Sequence, residues 1–130
     1  MIGLDTSALV DLFRGEEKIK ELFSQLDEEV VSTYINYFEI MLGIDLKDYS
    51  YHDELDFFKN LFEEVKLLTL NKDSCKSSSL IFWELKKSGK MVGKLDCMIA
   101  GVLLANGVNK IITRNAKHFE NIKGIKTISY

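Results

Sequence analysis

Short apolar runs alternate with longer amphipathic segments along the chain, and this alternation constrains the fold more than any other feature of the sequence. The runs are four to six residues long and contain many branched aliphatic side chains, which is typical of buried β-strands. We predict five strands, in the segments MIGL (1–4), EEVVS (28–32), VKLLTL (65–70), NKIIT (109–113) and IKTIS (125–129).

The segments between these runs have the periodicity of α-helices. They cover about Ser7–Arg14, Glu17–Gln25, Tyr34–Ile44, His52–Glu63, Lys72–Lys87 and Leu95–Asn106. Thr33 and Asn71 are residues that favour a helix start, while Gly89 and Gly107 favour a helix end. Strands joined by helices imply a parallel sheet with right-handed crossovers and helices on both faces. The predicted fold class is α/β, with three layers (α/β/α) around a central parallel sheet.

Length and composition restrict the class of protein. We expect residues 1–130 to form one domain, because this length is typical of a single domain and no linker composition interrupts it. With 46% hydrophobic and 28% charged residues the chain is not of the disordered class. No apolar run is long enough to span a membrane, and the N-terminus does not resemble a signal peptide, so we predict a cytoplasmic protein. Cys75 and Cys97 are expected to be buried thiols.

The net charge of −3 argues against a protein that holds nucleic acid through its overall charge. Any polyanion must therefore meet a local basic patch or a metal ion.

Asp5 ends the first predicted strand, in MIGLDTS. In parallel α/β sheets, ligands bind beyond the carboxyl ends of the strands, which favours a functional carboxylate at this position. The alternative is a helix cap, since Asp5 immediately precedes the helix predicted from Ser7.

Two further acids stand among apolar residues: Glu39 in YINYFEIMLGI and Asp96 in GKLDCMIAGVLLANG. Asp96 falls in the first turn of a largely apolar helix, where it either faces the strand ends or interacts favourably with the helix dipole. Glu39 falls in mid-helix, where the alternative is an exposed polar face.

Asn115 completes the pattern, because it follows the fourth predicted strand in IITRNAKHFENIKGI and so belongs at the same sheet edge as Asp5. The four segments LDTSALVDLF, FEIMLGI, KLDCMIAGVLLANG and IITRNAKHFENIKGI resemble, in order and spacing, the PIN-domain family. They resemble its VapC-type toxin ribonucleases in particular, over nearly the whole chain.

The resemblance implies a PIN-like fold and a divalent-metal-dependent endoribonuclease, the toxin of a toxin–antitoxin pair. It places Asp5, Glu39 and Asp96 at the three principal acidic positions. Asn115 stands where many members carry another Asp, which leaves open whether one or two metal ions bind. The neighbouring polar residues that would orient ligands or water are Thr6, Ser7 and Thr113. The resemblance also implies a cognate antitoxin protein as partner.

Carboxylates that cluster repel one another unless a hard cation lies among them, and oxygen ligands suit Mg²⁺ or Mn²⁺. We expect Mg²⁺ (or Mn²⁺) bound by Asp5 and Asp96. Glu39 would orient the attacking water, and Asn115 would hydrogen-bond a water ligand of the metal. These residues form the predicted catalytic set.

Basic residues flank two of the acidic motifs. Lys90 and Lys94 precede Asp96, and Arg114 and Lys117 surround Asn115. We predict that these four side chains contact the phosphate backbone of an RNA substrate. The alternative is a solvated loop and helix end.

Other prominent residues are assigned to packing or to the surface. His52 and His118 lack a partner at metal-ligand spacing and are expected to be exposed. The many aromatic residues between positions 34 and 62 are expected to divide between the core and a partner surface, and in VapC-like proteins this region resembles the antitoxin groove. Trp83, in SSSLIFWEL, is expected in the core or at a homodimer contact.

Two other functions remain open. One is a non-catalytic PIN-like protein that only binds RNA or a partner, which Asn115 makes conceivable. The other is phosphoryl transfer through an aspartyl-phosphate, since some phosphatases also begin with an Asp at the end of the first strand. Those enzymes need a second Asp two residues later, where this chain has Ser7.

Overall fold

The computed structural model describes residues 1–130, and its central feature is a five-stranded, fully parallel sheet. The strands are β1 (Ile2–Leu4), β2 (Val30–Thr33), β3 (Lys66–Leu68), β4 (Lys110–Ile112) and β5 (Lys126–Ile128). Their order across the sheet is β3-β2-β1-β4-β5. All four pairings are parallel, which confirms the predicted sheet type and all five predicted strands.

Six α-helices connect the strands, at the places where the sequence predicts helices. They are α1 (Thr6–Phe13), α2 (Glu17–Ser24), α3 (Tyr34–Leu42), α4 (His52–Glu64), α5 (Lys72–Lys87) and α6 (Lys94–Ala105). Two short 3₁₀ helices, Tyr49–Tyr51 and Ala116–His118, lie before α4 and after β4. None of the helices is long and apolar enough to cross a membrane.

The predicted helix signals act as expected. The side chain of Thr33 accepts a hydrogen bond from the backbone N–H of Asn36, and Asn71 forms a capping box with Ser74. Gly89 and Gly107 follow α5 and α6 with φ of +70° and +75°, the left-handed conformation that glycine adopts most easily.

Helices on both faces of the sheet bury two separate cores, as the three-layer prediction requires. Ile111 belongs to the core under α5 and α6, while its neighbour Ile112 belongs to the core under α1 and α4. Successive strand residues point to opposite faces, so each strand supplies both cores. This arrangement holds the carboxyl ends of β1, β2 and β4 side by side.

The packing of α5 against α6 requires a glycine. A Cβ atom added at Gly101 would lie 2.0 Å from Oγ of Ser78 and 2.7 Å from the Ser78 backbone nitrogen. Gly101 therefore lets the two helices approach closely, and α6 carries Asp96 in its first turn.

One prediction about buried residues is wrong, and for another the structure disfavours one of its two alternatives. Cys97 is buried, but Cys75 is exposed, because the buried face of α5 includes its neighbour Ser74 instead. Both thiols are free. Of the two alternatives for Trp83, the structure disfavours the core, since 49% of its surface is exposed and the core positions nearby on α5 are Ile81 and Leu85; the homodimer contact stays a prediction.

Candidate active site

Strand ends, α3 and α6 bring the predicted residues to one cavity of about 650 Å³ at the carboxyl edge of the sheet. Asp5 follows β1 and Asn115 follows β4, and these strands are neighbours. Glu39 comes from α3, and Asp96 from the first turn of α6. All four side chains that the sequence predicts as the catalytic set line this cavity.

Asp5 does not cap α1, although it occupies the residue before that helix. Its Oδ2 accepts hydrogen bonds from Oγ1 of Thr113 at 2.9 Å and from Oγ of Ser7 at 3.2 Å. Its Oδ1 accepts one from Nδ2 of Asn36 at 3.3 Å. The side chain is therefore held by other side chains rather than by backbone N–H groups, and a residue that is only 5% exposed still lines the cavity. This geometry disfavours the capping alternative.

The three neighbouring polar residues predicted from the sequence divide between two carboxylates. Ser7 and Thr113 contact Asp5, and their hydroxyls lie 3.2 Å apart. Thr6 instead donates to Oε1 of Glu39 at 2.7 Å. The hydroxyl set thus fixes the orientation of both carboxylates, while its functional role stays a prediction.

Asn36 is a site residue that the sequence reading missed. Its side chain is fully buried and donates both to Oδ1 of Asp5 and to Oγ1 of Thr6, the latter at 3.0 Å. Oγ1 of Thr33 donates to its amide oxygen at 2.7 Å. The available signal was an amide three residues before Glu39 on an otherwise apolar helix, a spacing that puts both on one helix face.

Glu39 lies half-buried on the cavity wall, which disfavours the alternative of a fully solvated helix face. Thr6 occupies its Oε1, so Oε2 is the oxygen without a protein hydrogen bond.

The carboxyl of Asp96 in the cavity has a raised pKa. Burial is the main cause that raises its pKa from 3.8 to about 6, and the negative charges of Asp5 and Glu39 add to the effect. His118 opposes the shift, since its Nδ1 lies 3.2 Å from Oδ2 of Asp96. The charges of Asp5 and Glu39 therefore act on the carboxyl of Asp96.

His118 is exposed, as the sequence predicts, but its place in the cavity was missed. No spacing rule indicates the contact, because His118 and Asp96 come from different elements that meet only in the folded chain.

Asn115 lies half-buried on the cavity wall, where its backbone N–H donates to Oγ1 of Thr113 at 3.0 Å. The same Thr113 hydroxyl contacts Asp5, so the turn after β4 is tied to the end of β1.

Two of the four basic residues predicted to contact RNA lie at the cavity, and two lie outside it. Lys94 and Arg114 line the cavity, and so does Arg14, which the sequence reading missed. Lys90 and Lys117 are exposed but do not line it. Arg114 also forms an ion pair with Asp11, with Nη1 and Oδ1 2.7 Å apart.

The carboxylate, hydroxyl and amide oxygens that line the cavity are donors that suit a hard divalent cation. No group of three or more His, Cys, Asp or Glu side chains is close enough to hold a metal ion. The carboxylates of Glu39 and Asp96 have different partners, because Thr6 donates to Glu39 and His118 contacts Asp96. Such a site fits Mg²⁺ bound by one or two carboxylates with several waters, the pattern that this ion favours.

A second, apolar cavity of about 450 Å³ lies between α3 and α4. Its lining residues are Tyr34, Tyr37, Met41, Leu55, Lys59, Phe62 and Leu67. Of the aromatic series, Phe58 is fully buried, whereas Tyr34, Phe38 and Tyr49 are 49%, 53% and 80% exposed. The aromatic residues therefore divide between core and surface, as predicted.

Comparison with known proteins gives consistent relatives. The PIN domain family model matches residues 2–125. Ribonuclease VapC1 of Haemophilus influenzae (strain R2866) is 31% identical over 127 residues, which cover 95% of this chain and 92% of that protein.

Two solved structures illustrate the similarity of fold. VapBC-1 from nontypeable Haemophilus influenzae aligns with a TM-score of 0.82 and 29% identity, covering 99% of this chain and 98% of that one. VapBC2 from Rickettsia felis, bound to a DNA fragment from its promoter, aligns with a TM-score of 0.88 and 17% identity, covering 100% and 99%.

Proposed function

The chain belongs to the PIN-domain family, among its VapC-type members, and from this premise we propose that it is a divalent-metal-dependent endoribonuclease, the toxin of a toxin–antitoxin pair. The observation that carries the proposal is the convergence of Asp5, Glu39 and Asp96 on one cavity with cationic walls. Three acids gathered in this way repel one another, and this repulsion adds to burial, the larger cause, in raising the pKa of Asp96. A bound cation would offset the repulsion.

Asp5 and Asp96 are the proposed ligands of Mg²⁺ (or Mn²⁺). Asp5 suits this role because Thr113, Ser7 and Asn36 fix its carboxylate while it still lines the cavity. When bound, the ion would lower the pKa of the attacking water and polarise a phosphodiester oxygen.

Glu39 is the proposed acceptor that orients the attacking water. Thr6 holds Oε1, which leaves Oε2 free to accept the hydrogen bond of that water. Asn115, after β4, supplies a neutral amide that would hydrogen-bond a water molecule in the cavity as donor or acceptor.

RNA is the proposed substrate, since a cavity whose walls include Arg14, Lys94 and Arg114 attracts a phosphate backbone despite the negative total charge of the chain. Lys90 and Lys117 are proposed as more distant backbone contacts outside the cavity.

A cognate antitoxin is the proposed protein partner. The apolar cavity between α3 and α4 offers aromatic and aliphatic side chains to an apolar segment of that partner. We further propose that the chain is a single domain, forms a homodimer and acts in the cytoplasm.

The test is cleavage of total bacterial RNA by the purified chain, with Mg²⁺ or Mn²⁺ added and with EDTA as the metal-free control. Cleavage is expected only with the metal, and Asp5→Asn or Asp96→Asn is expected to abolish it while circular dichroism remains unchanged. Asp73→Asn, an exposed acid in the first turn of α5, is the matched control and should cut like the wild type.

Wild-type cleavage by either site variant would refute the metal-ligand assignment. RNA binding without cleavage under all metal conditions would favour the non-catalytic alternative instead. Metal-dependent RNA cleavage that survives Ser7→Ala but not Asp5→Asn would exclude the phosphatase alternative. Ser7 stands where an aspartyl-phosphate mechanism needs its second acid, and here it only supports Asp5 by a hydrogen bond.

A further inference from the structure

A buried carboxylate next to the site cavity holds two residues from the C-terminal part of the chain. Asp11, on α1, is only 2% exposed. Its Oδ1 accepts a hydrogen bond from Nη1 of Arg114 at 2.7 Å, and its Oδ2 accepts one from Oη of Tyr130 at 2.6 Å. Both oxygens of this buried acid are therefore used by partners more than 100 residues away in sequence.

Arg114 is held by its backbone as well. Its N–H donates to Oγ of Ser7 at 3.1 Å, and the same hydroxyl contacts Oδ2 of Asp5. The position of Arg114 is thus tied, through the hydroxyl of Ser7, to the carboxylate of Asp5 that follows β1.

The Arg114 side chain stands between two cavities. It lines the site cavity and also a neighbouring cavity of about 260 Å³, whose other lining residues are Asp11, Glu16, Lys18 and Tyr130. Nη1 of Arg114 is engaged with Asp11, while the side chain is 52% exposed and lines the site cavity. A guanidinium has five N–H donors in a rigid plane, so an anchor on one edge leaves another edge for a phosphate.

We propose that Asp11 and Tyr130 are positioning residues, which hold the guanidinium of Arg114 at the wall of the site cavity so that it contacts a phosphate of the substrate RNA. This inference rests on the proposed function. It concerns residues that the acidic set does not include, and it assigns the neutral hydroxyl of Tyr130 a part in substrate binding.

Tyr130 suits this role because its hydroxyl stays protonated. Burial, followed by the hydrogen bond to Asp11 and the charge of Asp11, raises the pKa of Tyr130 well above its ordinary value. The hydroxyl therefore always donates to Asp11, and it shares this carboxylate with Arg114 without adding charge.

Positioning matters for arginine because a free side chain loses much rotamer entropy when it binds a phosphate. An arginine that is already oriented loses less, so its contact favours binding more strongly.

The test uses Asp11→Asn, because two explanations predict opposite changes in RNA affinity for this variant. If Asp11 acted on RNA only as a negative charge near a polyanion, Asp11→Asn would strengthen binding. If Asp11 positions Arg114, the same change weakens binding. Tyr130→Phe removes one hydroxyl without a change in charge, and Glu16→Gln is the matched control, since Glu16 lines the same small cavity but does not bond Arg114.

Initial rates of cleavage of a fluorescently labelled single-stranded RNA, with Mg²⁺ and constant ionic strength, give kcat and KM separately. We expect Asp11→Asn and Tyr130→Phe each to raise KM about threefold to tenfold and to change kcat by less than about twofold. Glu16→Gln should leave KM unchanged or slightly lowered.

A double-mutant cycle distinguishes the positioning of Arg114 from a purely structural role of Tyr130. Arg114→Ala should raise KM at least as much as Tyr130→Phe, and adding Tyr130→Phe to Arg114→Ala should change KM no further. A Tyr130→Phe effect that persists without Arg114, or a KM that Asp11→Asn lowers or leaves unchanged, would overturn the inference. If Asp11→Asn does not fold by circular dichroism, the Tyr130 and Arg114 cycle decides alone.

The outcome is separable from that of the proposed function. A wild type that neither cuts nor binds RNA with Mg²⁺ or Mn²⁺ refutes the proposed function and, with it, this inference. A wild type that cuts RNA while the cycle shows no coupling refutes only the positioning of Arg114.

Discussion

Nδ1 of His118 lies 3.2 Å from Oδ2 of Asp96, so the carboxyl whose pKa is raised has a basic neighbour on the turn after β4. The contact moderates the effect of burial without cancelling it, because the pKa of Asp96 is still raised to about 6. The ionised carboxylate therefore costs stability at neutral pH in the free protein.

Asp96→Asn is expected to stabilise the metal-free fold. The raised pKa of Asp96 corresponds to at most about 3 kcal/mol, and partial solvent access to the carboxylate reduces the expected gain to about 1 kcal/mol at pH 7.5. In EDTA the melting temperature should rise by about 2–5 °C. Asp73→Asn, also in the first turn of a helix but exposed, should give no such rise. A destabilised Asp96→Asn would mean that its carboxylate supports the fold.

Metal binding should weaken in acid because a proton competes for Asp96. Since the folded-state pKa is raised to about 6, the carboxylate is ionised above that pH and gains a proton below it. Calorimetric titration with Mg²⁺ should give a constant Kd from about pH 7 to 8 and a weakening approaching tenfold per pH unit below about pH 6. Asp96→Asn should remove this dependence. Equal affinity of the wild type at pH 5 and pH 7.5 would contradict the assignment of Asp96 as a ligand.

Gly101→Ala is expected to destabilise the fold, because the new Cβ would meet Oγ of Ser78 at 2.0 Å and its backbone nitrogen at 2.7 Å. The backbone contact means that Ser78→Ala cannot relieve the clash. We expect a loss of about 2–3 kcal/mol in the free energy of unfolding, measured by urea denaturation. Gly43→Ala, whose nearest contact is at 3.4 Å, is the control and should change stability by less than about 1 kcal/mol. Similar values for both variants would show that α5 and α6 separate easily.

Apolar side chains exposed on α5 predict self-association. Leu80 is 74% and Trp83 is 49% exposed, and both lie in the segment SSSLIFWEL, which the sequence indicates as a dimer contact. Light scattering at tens of micromolar should report a dimer, and Leu80→Lys should shift it towards monomer. Leu46→Lys, at a residue that is 67% exposed elsewhere, is the control. A monomeric wild type would refute the dimer, and a dimer lost only in Leu46→Lys would place the interface elsewhere.

Most of the fold was predictable because its signals are local. Short apolar runs indicate all five strands, and caps such as Asn71 and left-handed glycines such as Gly107 define helix ends within a few residues. The gathering of Asp5 and Asn115 also follows from local position, since both end neighbouring parallel strands. These predictions need only the chain order and the geometry of a parallel sheet.

The residues missed by the sequence reading depend on long-range contacts. Asn36 donates to a carboxylate 31 residues away, and His118 contacts an acid on a different helix. Tyr130 meets Asp11 across 119 residues. Cys75 was misassigned for a different reason, since general burial preferences of cysteine do not show which face of α5 packs against the sheet.

Asn115 offers the sharpest test of the metal site, because it is the one neutral member of the predicted catalytic set. Its amide adds no charge to the cavity, so we expect one tight Mg²⁺ and weak binding of any second ion. Asn115→Asp should keep the fold, tighten divalent binding and lower the Mg²⁺ concentration for half-maximal cleavage, since a fourth carboxylate attracts cations more strongly.

Asn115→Ala is the matched removal of the amide and should weaken cleavage only partially, because Asp5 and Asp96 remain in the cavity. Metal titration by calorimetry and metal-dependence curves for the three proteins, at one ionic strength, measure both effects. Equal metal binding and equal cleavage by all three would place Asn115 outside the functional site, although it lies on the cavity wall. The fourth position would then have to be sought among the other lining residues of the same motif, where His118 is the side chain in contact with Asp96.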